Sequence, residues 1–208
     1  MAEAVERQLI WAPVIHTESD MGSIRQRVRI LFKEKWGEQG WQRHVRAVEQ
    51  IWNHIWCQVL QLDLDYSRLR LYQDGLPVCG REIEIVEELA RAGSQNHLLL
   101  VELMKKGARL MGTESPELLL DEYKLIHGML EMSQSQNADL MRRRFADASQ
   151  ALLQMRDRFV AQRIEQTLLA GETGLIFLGV SHAIDEFLPA DIDVVTLNEA
   201  VRRLRSAE

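Results

Sequence analysis

Cysteine is nearly missing from this chain, with only Cys57 and Cys79 among 208 residues. Two such thiols have neither the spacing of a zinc-finger set nor the density of a disulfide scaffold, so a reducing compartment is expected, with each thiol buried. Proline is scarce too, four in all, and no internal repeat or low-complexity linker breaks the chain. Organisation must then come from alternating apolar periods, and one domain over residues 1–208 is the simplest partition. Excess positive charge is also absent. Lys and Arg total 25 against 31 Asp and Glu, giving a net charge of −6 and a pI near 5.6, so nucleic acid is not an expected partner. No apolar run approaches the roughly 18 residues of a bilayer span, and the opening MAEAVERQ is too polar for a secretion signal. A cytoplasmic location without membrane contact is expected.

What the chain does have is a change of period. RQLIWAPVI, SRLRLYQ, ARLMGT, GLIFLGV and DIDVVTL read as strands, the last the weakest. Helical stretches are expected at Ser23–Trp36, Trp41–Leu62, Arg81–Ala92, Asn96–Lys106, Pro116–Met132 and Asp139–Ala170. Helical crossovers of that length imply parallel strands. The fold class is therefore α/β: a mostly parallel sheet of four to five strands, helix-rich, with large helical insertions at about 38–65 and 116–170.

In an open parallel sheet a ligand site lies beyond the carboxyl ends of the strands. The first strand is followed by His16 and Glu18, the second by Asp74, the third by Thr113 and Glu114, the fourth by Ser181, His182 and Asp185. Asp74 in QDGLP reads as an Asp-Gly turn, and Ser115 with Pro116 as the N-cap and first residue of a helix. Histidine is not a preferred cap, so His16 and His182 stand out as site candidates. On the long helix before the fourth strand, Leu152, Leu153, Met155, Phe159, Val160, Ile164 and Leu168 share one face, and Arg156 and Arg163 fall within it. A buried guanidinium needs an anion: a structural carboxylate such as Asp157 or Glu18, or else an active-site carboxylate or an anionic substrate.

The stretch MRDRFVAQRIEQTLLAGETGLIFLGVSH, Met155 to His182, resembles the closing motif of the TraB/PrgY–Tiki–erythromycin esterase superfamily, in which Arg followed by Asn or Asp and an Ile-rich helix lead to a strand ending in Gly-x-x-His. Gly179, Val180, Ser181 and His182 match that tetrad. PVIHTESDMGSIRQRVR resembles the family's first Gly-x-x-His element, with His16 as its histidine and with Pro13 where the family has Gly. The resemblance implies an α/β fold whose site combines the two histidines, acidic residues and an arginine. It also implies hydrolytic chemistry in several members, metal-assisted in the Tiki branch. The carboxylate that the family places after an early strand is Glu18, Asp74 or Glu114.

Two classes of function follow as expectations. The first is a hydrolase acting on an ester or amide of a small molecule or peptide, with His16, Glu18, Glu114, Arg156, Arg163 and His182 as catalytic candidates. Of these, His16, Glu18, Glu114 and His182 are the candidate ligands of a divalent Zn, Mn, Co or Fe ion. Without metal, a histidine would act as general base with arginine facing the oxyanion. HExxH, Gly-x-Ser-x-Gly and Walker motifs are lacking, so Ser181 is a poor nucleophile candidate. The second class is a non-catalytic binding or sensor protein that holds a metal, a haem-like macrocycle or an anionic metabolite in the same pocket. The remaining histidines, His44, His54, His97 and His127, read as structural or exposed, and the tryptophans Trp36, Trp41, Trp52 and Trp56 read as core rather than as the lining of a pocket or an interface. MRRRF, Met141 to Phe145, reads as solvated surface, and apolar helix faces allow a homodimer.

Overall fold

The computed structural model describes residues 7–15, 25–131 and 138–205. Among them five parallel strands form a sheet: β1 (Arg7–Val14), β2 (Leu69–Gln73), β3 (Arg109–Leu110), β4 (Thr173–Gly179) and β5 (Ile192–Thr196), in the order β3-β2-β4-β1-β5. The helices are α1 (Arg25–Gln61), α2 (Glu82–Arg91), α3 (Gln95–Lys105), α4 (Pro116–Glu131), α5 (Ala138–Thr167) and α6 (Leu197–Arg205). The architecture is helix-rich α/β, as the periods predict.

Period-2 alternation sends the strands' side chains to two cores. Ile10, Ala12, Val14, Leu69, Leu71, Leu175 and Phe177 meet α1, α3 and α6 on one face. Leu9, Tyr72, Ile176 and Leu178 meet Val160 and Ile164 of α5, and Leu168 just past it, on the other. Burial on both faces explains why GLIFLG reads as an unbroken apolar run rather than an alternating one.

Several boundaries and exposures differ from expectation. The two helices expected up to Leu62 form one element broken only at Gly37, whose φ of 70° and ψ of 174° are non-helical. Gly40, not a loop, occupies the next turn. β3 is two residues long because its chain leaves the sheet at Met111, whose N–H still reaches the Leu71 carbonyl. Both cysteines are exposed rather than buried; Cys57 falls on the outer side of α1 and Cys79 in the loop after β2. Trp52 and Trp41 are core residues, but Trp36 is 52% exposed, since the helix ahead of Gly37 packs its Phe32 ring on Trp41 and leaves Trp36 outside. No helix among the described residues is long and apolar enough to cross a membrane.

The chain changes faces between neighbouring strands. After β2 it enters α2 and α3, and α3 packs on the α1 face; after β3 it enters α4 and α5, and α5 packs on the opposite face. Loops that leave adjacent strands for opposite faces open a crevice at the carboxyl edge, where β2, β3 and β4 end.

Candidate active site at the carboxyl edge

Asp74 is the first residue past β2 and sits in that crevice. Its Asp-Gly turn is real, with Gly75 at φ 73°, a conformation that costs glycine nothing. The turn also aims the carboxylate inward, where Oδ1 accepts from Arg156 Nη2 at 2.8 Å and Oδ2 from the Gly179 N–H at 2.9 Å. Turn and site therefore coincide in one residue.

Glu114 follows β3, and its main chain is clamped to the loop after β2 by the Val78 N–H. Ser115 and Pro116 then start α4, with Ser115 Oγ capping the Leu118 N–H as expected. Glu114 is fully buried and takes both arms of Arg156, Nε to Oε2 at 3.0 Å and Nη2 to Oε1 at 2.6 Å. The third guanidinium nitrogen, Nη1, reaches Glu122 of α4 at 2.5 Å. Burial pushes the Glu114 carboxyl above the usual carboxylate range, and Arg156 offsets only part of that rise. Desolvation works against the Arg156 charge, but Glu114, Asp74 and Glu122 together hold its pKa above the ordinary arginine value.

His182 closes a turn, its N–H bonded to the Gly179 carbonyl at 3.1 Å, which folds the ring back beneath the strand end. Its Nδ1 is 2.5 Å from Asp157 Oδ1, and its Nε2 faces Asp74 Oδ2 at 3.4 Å. Asp157 Oδ2 also accepts the Ala183 N–H at 3.1 Å, so this carboxylate is held from two sides. Burial disfavours the imidazolium, but Asp157 and Asp74 outweigh it and raise the His182 pKa to about 9.

The structure thus joins three of the six sequence candidates, Glu114, Arg156 and His182. Arg163 lies seven residues on along α5 and donates to the Gly112 carbonyl at 3.2 Å instead. His16 and Glu18 lie outside the described residues. Asp74, Asp157 and Glu122 complete the cluster. Asp157 does not pair with an arginine: consecutive helical residues point about 100° apart, so Arg156 and Asp157 serve different partners. Met155, expected on the apolar face, is 50% exposed because that rotation puts Arg156 and Asp157 inward in its place. The adjacent Arg-Asp pair on a helix facing a strand end is the signal that points to Asp157. For Glu122, one turn into an amphipathic helix, the sequence carries none. His97 is buried against Ser94 Oγ, a helix-capping pair, consistent with a structural role.

Asp74, Glu114 and His182 offer one ligand atom each, all within 4.8 Å of one another, so the group can hold a metal ion. The residue types fit one: with the His182 Nδ1 engaged by Asp157, Nε2, which faces Asp74 Oδ2 at 3.4 Å, is the nitrogen that would ligate a metal on losing its proton. Arg156 already occupies both oxygens of Glu114, and Asp74 Oδ2 accepts the Gly179 N–H and faces His182 Nε2, so a metal would share each of these donors with its present partner. A cleft of about 760 Å³ along β5 includes none of these residues. Comparison with known protein families, with curated proteins and with solved structures finds no match.

Proposed function

We propose that this chain is a cytoplasmic hydrolase of the kind its closing motif resembles, attacking an ester or amide at the carboxyl edge of the sheet with His182 as its central residue. The observation that carries this is the hold on that ring, with Nδ1 taken by Asp157 and Nε2 left facing Asp74. A histidine so fixed presents one defined nitrogen to an incoming group, the condition for proton transfer or ligation. A divalent Zn, Mn, Co or Fe ion held by His182, Asp74 and Glu114 would supply Lewis acidity to the substrate carbonyl and to water.

The chain's own residues do the rest. Arg156 keeps Asp74 and Glu114 in register, and its charge favours an oxygen that becomes negative. Exclusion of bulk water strengthens each of these contacts. In the reaction, water's oxygen bonds to the acyl carbon, the bond to the leaving oxygen or nitrogen breaks, and a water proton ends on the leaving group. With no metal bound, the protonated His182 ring would give its Nε2 proton to the leaving group; with a metal bound, Nε2 is a ligand and the proton comes from the water itself. His16 and Glu18 belong to the proposal through the family resemblance alone.

One observation favours the non-catalytic alternative: Glu114 is fully buried with both oxygens satisfied by Arg156, as in a structural ion network. Elemental analysis of protein purified without chelator, alongside hydrolysis of p-nitrophenyl esters and anilides, separates the two. Stoichiometric metal and turnover, both lost in His182→Ala and in Asp74→Asn, are expected. Metal without turnover of any ester or amide would favour a binding protein, and parallel loss in His16→Ala would add His16 to the site.

A further inference from the structure

Polar residues follow β2 and β3 at the carboxyl edge, but the two central strands end differently. Val14 and Gly179 are the last register partners of β1 and β4, so Ile15 and Val180 leave the sheet side by side. Both are aliphatic, and they are 41% and 65% exposed. Neither is loose. The Ile15 carbonyl accepts the indole N–H of the buried Trp52 at 3.2 Å. Val180 stands at the tip of the turn closed by the bond between the His182 N–H and the Gly179 carbonyl. One end of that turn donates to Asp74, and the other supplies the His182 ring. Two exposed aliphatic residues therefore end neighbouring strands, one of them inside the turn that carries His182, and neither belongs to the core.

We propose that Ile15 and Val180 receive a hydrophobic acyl chain, so that the substrate class is an ester or amide of an apolar carboxylic acid. This rests on the hydrolytic function proposed above. The polar cluster addresses the carbonyl, and the aliphatic pair addresses the carbons beyond it. The pair selects by chain length, because each methylene removed from water adds about fourfold to transition-state binding as long as it touches the pair.

The test uses the full chain, loaded with whichever metal it is found to hold, and p-nitrophenyl acetate, butyrate and octanoate. Each is cleaved by water to the free acid and p-nitrophenol. For the unmodified chain kcat/KM rises with chain length, at least tenfold from acetate to butyrate. Ile15→Asp and Val180→Asp flatten that rise, the loss in kcat/KM growing from acetate to octanoate. Hydrolysis without chain-length preference, or a preference that survives both substitutions, overturns the inference and leaves the hydrolytic function standing. No hydrolysis of any ester or anilide removes both. Sedimentation gives the remaining outcome: a dimer that Val180→Asp converts to monomer means that a second copy covers the pair, and the inference fails.

Discussion

Two buried arginines lie at opposite edges of the same sheet, and they are satisfied in different ways. Arg70, on β2 near the amino edge, makes a two-pronged pair with Glu172, Nε to Oε2 at 2.7 Å and Nη2 to Oε1 at 2.6 Å. That is one cation for one anion. Each side is pushed toward its charged form by the other: Glu172 is held below the usual carboxylate range by Arg70, and Arg70 above the usual arginine value by Glu172. Arg156 at the carboxyl edge faces three carboxylates, with His182 and a fourth carboxylate, Asp157, beside it. A closed pair accounts for itself as structure. In the cluster, burial first and the neighbouring Asp74 charge second hold Glu114 above its usual pKa despite Arg156, and the site retains capacity for a further cation or proton.

The sharpest way to break this comparison is to remove each arginine. Arg156→Met leaves Asp74 and Glu114 buried without their cation, and a loss of about 3–5 kcal/mol in urea unfolding is expected. If Arg156→Met were instead neutral, the cluster would not depend on its arginine. A second probe is Tyr72, which sits on β2 between the two arginines. Burial raises its pKa from 10 to about 12, against the smaller opposing effect of its hydrogen bond with Thr167. The folded state therefore holds the phenolic proton longer than the unfolded chain. Stability is intact below pH 10 and falls by about 2–3 kcal/mol as pH rises to about 12. Tyr72→Phe abolishes that decline; a decline unchanged in Tyr72→Phe belongs to another group.

Arg70→Met strands Glu172, whose side chain is 12% exposed, and should cost about 2 kcal/mol, less than Arg156→Met. Adding Glu172→Leu removes both charges and should restore stability to within about 1–2 kcal/mol of the unmodified chain, the remainder being the acceptor that Glu172 Oε2 gives the Leu169 N–H. Equal costs for the two single arginine variants would erase the distinction between the edges. Asp157→Asn keeps the bulk and one acceptor but removes the anion paired with the buried His182 ring, so a loss of about 1.5–3 kcal/mol is expected. Its larger effect belongs in turnover: ester hydrolysis should fall about 10- to 100-fold, because the amide no longer fixes the His182 ring as a carboxylate does. A fall in melting temperature with unchanged turnover would instead make Asp157 a structural partner.

Strand GLIFLG and the long helix before it were readable because their periods are unambiguous and nothing in the tertiary structure overrides them. Glu114, Arg156 and His182 were readable because each violates its local pattern: a carboxylate and a histidine at strand ends, and an arginine on an apolar stripe. Asp74 was legible as a turn and as one of three carboxylates that the resemblance allows, since an Asp-Gly step has a sufficient local explanation and its second role depends on β4 lying next to β2. Asp157 was visible as an anion beside an arginine, yet its partner is His182, 25 residues away. The cysteines show the same limit from the other side. A thiol's average preference for burial carries no information about which side of α1, or which loop, receives it.

By itself the sequence determined the class of fold, the alternation of strand and helix, and the edge at which polar groups collect, because these depend on local periods and on the handedness of crossovers. Only the tertiary structure decided which of those groups meet. Strand order put β4 between β2 and β1, and that non-local arrangement brought Asp74 to His182, joined one arginine to carboxylates from two loops and a helix, and left Ile15 and Val180 exposed at the ends of neighbouring strands. Partners remote in sequence are selected by packing and burial over the whole sheet, and no local window of residues contains that information.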